Sequence, residues 1–158
     1  MSQTVLITGA SNGIGKACAR VFARKGYDLV LVARHREKLE AVKAELSEYD
    51  VQIKVIAMDL TGEDAAVDLY NDLVLDDISI DILVNNAGFG DHGAFHDSSW
   101  EKQKKMVLLN IVALMQMTYV FGQSMKRRKK GRILNVASIA GLCAGPYMST
   151  YYATKAFV

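Results

Sequence analysis

The amino-acid sequence predicts an α/β protein, a doubly wound parallel sheet with helices on both faces. Three observations carry that prediction. Short β-branched runs alternate with longer amphipathic ones; a glycine-rich turn, "TGASNGIG", joins the first run to the first helix; and the two long connections, residues 88–99 and 139–149, both follow strand ends. With 158 residues, 51% of them hydrophobic, 23% charged and one a proline, the chain suits a single domain spanning 1–158.

The elements follow in order. "TVLIT" is the first strand, and a helix runs from Ile14 to Lys25 with Ile14, Cys18, Val21 and Phe22 on one stripe, expected to face the core. "YDLVLVA" is the second strand and a charged helix spans His35 to Glu48. "VQIKVIAM" is the third strand, followed by a helix from Thr61 to about Asp76. Thr61 with Asp64 three residues later has the pattern of a capping box. "IDILVNN" is the fourth strand, a long helix covers about Trp100 to Lys130, "RILNVAS" is the fifth strand, and a last helix begins near Thr150. This array fits a Rossmann-like dinucleotide-binding domain, whose complete strand order is 3-2-1-4-5-6. Five strands are found, so the domain is expected to be C-terminally incomplete, lacking the last strands.

Composition excludes several classes. A net charge of +2 is too small to imply a nucleic-acid partner, and "MKRRKK" places cations where they meet the negative end of a helix dipole. Cys18 and Cys143 stand too far apart for a Cys-x-x-Cys pair, so neither zinc nor a disulfide framework is expected and the compartment is read as reducing and cytoplasmic. The apolar run Val5 to Ile7 is too short for a leader or a membrane span, and Met106 to Phe121 reads as a buried helix. His92 and His96 lack a third ligand and lie among glycines, so no metal is expected.

The turn from Thr8 to Gly15 carries the nucleotide expectation. Glycines 9, 13 and 15 allow a tight turn and close approach to a pyrophosphate, while a helix N-terminus offers free N–H groups to the anion. The second strand ends Val32-Ala33-Arg34, with no carboxylate at its tip. A guanidinium there fits an adenosine 2′-phosphate, which favours NADP(H) over NAD; the alternatives are Arg34 as a solvated loop residue beside Arg36 and Lys38, and Glu37 serving a free ribose. Asp59, at the end of the third strand, would accept from the adenine amino group, or else form a cap or turn.

At the other end of the chain, Tyr151 and Lys155 are four apart and share a helix face. A phenol titrates near ~10, and lowering that by about three units takes roughly 4 kcal/mol. One ammonium about 4 Å away supplies that order of energy at an effective dielectric of ~20. Ser138, ending the fifth strand, would face the same crevice or simply turn the chain.

Together these motifs resemble the short-chain dehydrogenase/reductase family. The residues that carry the resemblance are Thr8-Gly-Ala-Ser-Asn-Gly-Ile-Gly15, Asn85-Asn-Ala-Gly88, Asn110, Ser138 and Tyr151-x-x-x-Lys155, in the family's order and spacing over the whole chain. "NNAGFGDHGAF" and "STYYATKAFV" look like its less characterised bacterial reductases. The resemblance implies hydride transfer between NADP(H) and a carbonyl or secondary alcohol. It makes Tyr151 the general acid/base and has Lys155 lower its pKa and hold the nicotinamide ribose. Ser138 would steady the substrate oxygen, and Asn110 would anchor a proton-relay water; Asn110 could also be purely structural. Cofactor contacts are implied for Gly9, Ser11, Asn12, Gly13, Ile14 and Gly15 in the turn. Arg34, Asp59 and Leu60 would follow at the strand tips, Asn86, Ala87 and Gly88 after the fourth strand, and Tyr151 with Lys155 at the nicotinamide. Cys143 and Tyr147 either line the substrate pocket or pack the loop between Ser138 and Tyr151. The resemblance also implies a homo-oligomer built on the long helix. Family members continue past the tyrosine helix, so a nucleotide-binding fragment without turnover is the alternative function.

Overall fold

The computed structural model describes residues 2–158. Strands β1 (Thr4–Thr8), β2 (Asp28–Ala33), β3 (Ile53–Ala57), β4 (Ile82–Asn85) and β5 (Arg132–Asn135) form one parallel sheet in the order β3-β2-β1-β4-β5. Helices α1 (Gly13–Arg24), α2 (Arg36–Glu45) and α3 (Ala65–Leu75) make the crossovers. A long helical run follows, α4 (Trp100–Val107), a π-helical turn (Leu108–Ala113) and α5 (Leu114–Arg128), and α6 (Ser149–Phe157) ends the order.

The side chains of β1, β2 and β4 alternate between two cores, as strands covered on both faces do, while β5 is exposed along its length. Val5, Ile7, Leu29 and Leu31 point to one face and pack with Ala19 and Ala23 of α1 and Leu39 and Val42 of α2. Leu6, Val30, Val32 and Leu83 point to the other, against Leu69 and Leu73 of α3 and Met117 and Phe121 of α5. In register, Leu6 lies between Val30 and Leu83.

Three sequence expectations are corrected. The stripe Ile14, Cys18, Val21 and Phe22 does not form the inner face of α1, since Ile14 and Val21 are exposed; Gly15, Ala19 and Ala23 are buried instead. The helix lies so close to β1 that a Cβ at Gly15 would stand 2.4 Å from the Gly9 carbonyl oxygen, a gap only the smallest residues fill. Cys18 is half-buried at the edge of the core. The Thr61/Asp64 capping box is absent because α3 starts only at Ala65, with Asp64 at its N-cap making no side-chain cap bond. The helix read as continuous carries a π turn centred on Asn110, and such turns often mark functional positions.

The run Trp100–Arg128 is long and apolar enough to cross a membrane by length and composition. Its Met106, Ala113, Met117 and Phe121 are nonetheless core residues, while Val112, Met115 and Tyr119 are exposed on the other side. Burial is therefore one-sided in this chain.

Candidate active site

The glycine turn is braced from the neighbouring strand. Gly9 adopts φ +66°, and a Cβ there would lie 2.9 Å from the Ala87 Cα. The buried Thr8 hydroxyl accepts the N–H groups of Asn86 and Ala87, both at 3.0 Å. Asn86 in turn donates through Nδ2 to the carbonyls of Thr8 (2.9 Å) and Gly9 (3.2 Å), so its amide is committed to shaping the turn. Asn12 is the N-cap of α1 but its side chain makes no cap bond, which leaves donors of the first helical turn open to an anion.

Beside this turn, at the carboxyl ends of the strands, lies a cleft of about 290 Å³. Gly9, Ser11, Asn12, Arg34, Asp59, Leu60, Ala87 and Gly88 line it, together with His35 and Lys38. Gly13, Ile14, Gly15, Asn86, Tyr151 and Lys155 are not in its lining, and neither is Glu37. Asp59 is exposed, and its Oδ1 accepts both the N–H (3.0 Å) and the hydroxyl (2.9 Å) of Thr61. Partial burial pushes the Asp59 pKa up, but the Thr61 bonds and the charges of Arg34 and Lys105 outweigh it and hold the group below 3.8. The Oδ2 atom makes no hydrogen bond among the described residues, so an acceptor remains in the cleft.

The residues expected to react, Tyr151 and Lys155, lie at the same rim with Asn110. Lys155 is 8% exposed, its Nζ donates to the Val136 carbonyl at 2.8 Å, and it stands 6.0 Å from the centre of the Tyr151 ring. Burial pushes the Lys155 ammonium below its ordinary value of 10.5. Asn110, 1% exposed, uses its whole amide: Oδ1 accepts from Phe89 N–H (3.1 Å), and Nδ2 donates to the Phe89 carbonyl (2.9 Å) and the Thr154 hydroxyl (3.0 Å). The Thr154 hydroxyl donates in turn to the Tyr151 carbonyl at 2.9 Å. The π turn, the loop after β4 and the tyrosine helix are thereby tied at one point. Ser138 caps a 3-10 turn, Ile139–Gly141, by accepting the Ala140 N–H at 3.2 Å, and its O–H makes no bond among the described residues.

Sequence reasoning placed Thr8 in the glycine motif without a role for its hydroxyl, and it did not single out Thr154. The signal for Thr8 was a hydroxyl at the end of an otherwise apolar central strand; for Thr154 it was a polar residue three positions after Tyr151, on the side facing Asn110. His92 tilts against the Tyr147 ring at 5.6 Å and His96 sits beside Asp97, so the two histidines have separate neighbours. Among the described residues no three metal-binding side chains cluster. Cys143 is exposed, and Tyr147 sits at φ +62° with its carbonyl accepting the Gly93 N–H.

A parallel sheet of order 3-2-1-4-5, with a glycine turn leaving its central strand and a cleft at the carboxyl rim, defines a Rossmann-type α/β domain. The model of the short chain dehydrogenase family matches residues 3–158, and the chain belongs to that family. It is similar to the very-long-chain 3-oxoacyl-CoA reductase of Bos taurus, 34% identical over 165 residues that cover 100% of this chain and 52% of that protein. Among solved structures it is similar to the bulky-bulky ketone specific alcohol dehydrogenase of Comamonas testosteroni, at TM-score 0.91 and 39% identity over 99% of this chain and 63% of that one. A short-chain dehydrogenase of Sphingobium yanoikuyae in complex with NADPH gives TM-score 0.91 and 39% identity over 99% and 61%. The chain spans about half the length of the curated relatives it matches.

Proposed function

We propose that this chain carries the cofactor-binding and proton-exchanging parts of an NADP-dependent oxidoreductase acting on a carbonyl or secondary alcohol. One observation carries the reading: the buried Lys155 ammonium lies 6.0 Å from the Tyr151 ring, at the rim where the glycine turn opens its cleft. The side chains fit the cofactor, with uncapped N–H groups to donate to a pyrophosphate, Arg34 to donate to a 2′-phosphate and the free Asp59 Oδ2 to accept from the adenine amino group. When bound, a nicotinamide supplies or accepts the hydride. Tyr151 gives or takes the proton at the substrate oxygen, with the Lys155 ammonium 6.0 Å from the centre of its ring. The uncommitted Ser138 hydroxyl donates to the same oxygen, and Asn110 holds the loop after β4 in place through Phe89.

The NADPH held by the Sphingobium protein supports the cofactor choice, and the ketones of the Comamonas enzyme support a bulky carbonyl as substrate. Exposed Val112, Met115 and Tyr119 offer an apolar stripe for pairing two copies. The test is NADPH oxidation with a panel of ketones, bulky ones included, beside Tyr151→Phe. Equal rates in the two proteins would remove Tyr151 from the chemistry. The second reading, a nucleotide-binding fragment, is favoured by Ile139 and Leu142, which stand 84% and 88% exposed beside the reactive end. Cofactor binding without turnover, alongside an active longer product of the same gene, would select it.

A further inference from the structure

The loop after β4 carries two glycines that answer to different neighbours. A Cβ on Gly88 would stand 2.9 Å from Asn110 Oδ1, whereas one on Gly90 would stand 3.2 Å from Tyr151 Cδ2 and 3.2 Å from Met148 Cε. The φ of Gly90 is not positive, so its backbone suits any residue. What the position requires is the absence of a side chain. Carbon atoms pack best at about 3.5–4.0 Å, and even a methyl group there would press on the tyrosine ring.

Neither backbone can step back from that contact. Both polar groups of Phe89, the residue before Gly90, bond to the buried Asn110 amide, the N–H at 3.1 Å and the carbonyl at 2.9 Å. The Tyr151 carbonyl accepts from the Thr154 hydroxyl at 2.9 Å, and that hydroxyl accepts from Asn110 Nδ2 at 3.0 Å. One amide thus fixes the loop on one side and the backbone of α6 on the other. The ring itself is left to yield, by turning about its side-chain bonds. Such a turn is largest at the hydroxyl, the atom furthest from the backbone, while the Lys155 ammonium stays tied to the Val136 carbonyl at 2.8 Å. The flexible end of Met148 can move aside instead.

We infer that Gly90 is a positioning residue for Tyr151, seating the edge of the ring and setting where the phenol oxygen stands; this rests on the reading of Tyr151 as the proton-exchanging group.

Two measurements on the 158-residue chain test it. In ketone reduction Gly90→Ala should lower kcat about tenfold with KM and NADPH affinity unchanged, since a misplacement of ~1 Å costs about 10²-fold and this one is smaller. Thermal melts need no turnover. Glycine to alanine at a compatible backbone position ordinarily stabilises, yet here it should lower the melting temperature by a few degrees through overpacking. In a Tyr151→Ala background, where the ring is gone, the same change should leave the melting temperature level or raise it. In a Met148→Ala background the drop should persist. Full kcat in Gly90→Ala overturns the proposal, as does a loss confined to KM or NADPH affinity. Equal melting shifts with and without the ring overturn it too, and so does a drop that Met148→Ala abolishes, because the methionine would then be the neighbour that matters. A wild type without turnover removes the proton-exchange reading of Tyr151, and the melts then decide the seat of the ring by themselves.

Discussion

At the amino rim of the sheet, the carboxylates Asp28, Asp76 and Asp81 are partnered within the protein. The Asp81 side chain, 10% exposed, accepts from Lys130 at 2.9 Å and Thr4 N–H at 3.2 Å and faces Arg128 at 3.4 Å, joining the starts of β1 and β4 to the end of α5. Asp28 accepts the hydroxyl of Ser2 and the N–H of Gln52, and Lys54 pairs with Asp76 at 2.8 Å. At the carboxyl rim, Arg34, Lys38 and Asp59 Oδ2 have no hydrogen-bond or ion-pair partner among the described residues, and the first turn of α1 has no side-chain cap. The amino rim holds the larger concavity, about 800 Å³ against about 290 Å³. Size therefore does not pick out the site, whereas unspent donors and charges at the carboxyl ends of parallel strands do.

The largest test of this contrast is Lys155→Met at the carboxyl rim. Turnover should fall by about 10²-fold or more, while the melting temperature holds or rises. The sign follows from the lowered pKa: between the folded value and 10.5 the unfolded chain binds more protons, so stability climbs with pH there, and at neutral pH the buried charge is a cost. Thermal melts from pH 7 to 11 should lose that climb in the variant; a collapse of the fold would show that Lys155 belongs with the structural charges. Next in size is Asp81→Asn, expected to cost about 1–3 kcal/mol of stability and to leave NADPH affinity intact in a denaturant and binding series. Burial raises the Asp81 pKa, but Lys130, the Thr4 N–H and Arg128 outweigh it, so the group sits below 3.8. Its contribution should be complete above that value and fade as pH falls through the lowered one, which acid unfolding of wild type and variant compares. Arg34→Gln should weaken NADPH binding about tenfold, or ~1.4 kcal/mol, with no change in melting. Arg36→Gln should shift neither by a measurable amount, because its partner Glu40 lies on the same exposed helix face. A loss of NADPH affinity there would erase the distinction between Arg34 and Arg36.

The order of strands was legible because Val5, Leu6 and Ile7, like Leu29, Val30 and Leu31, are apolar on both sides, as a strand covered by helices must be. The motif positions were legible for a related reason, since glycine turns and a Tyr-x-x-x-Lys spacing are local. What failed was size and partnership. Hydrophobicity favoured Ile14 and Val21 for the inside of α1, yet the distance to β1 admits only Gly15, Ala19 and Ala23. Thr61 matched a capping pattern, but Asp59 two residues earlier took its hydroxyl and N–H. No periodicity announced the π turn at Asn110.

Strand β1 occupies the middle of the sheet, and its two neighbours arrive at very different times: Val5 pairs with Leu29 on one side and with Ile82 on the other. As the chain leaves the ribosome, β1, β2 and β3 can assemble once residue 57 has emerged, but the far edge of β1 stays bare until β4 follows. Throughout that interval the nascent half-sheet presents an unpaired apolar edge, open to pairing with another chain.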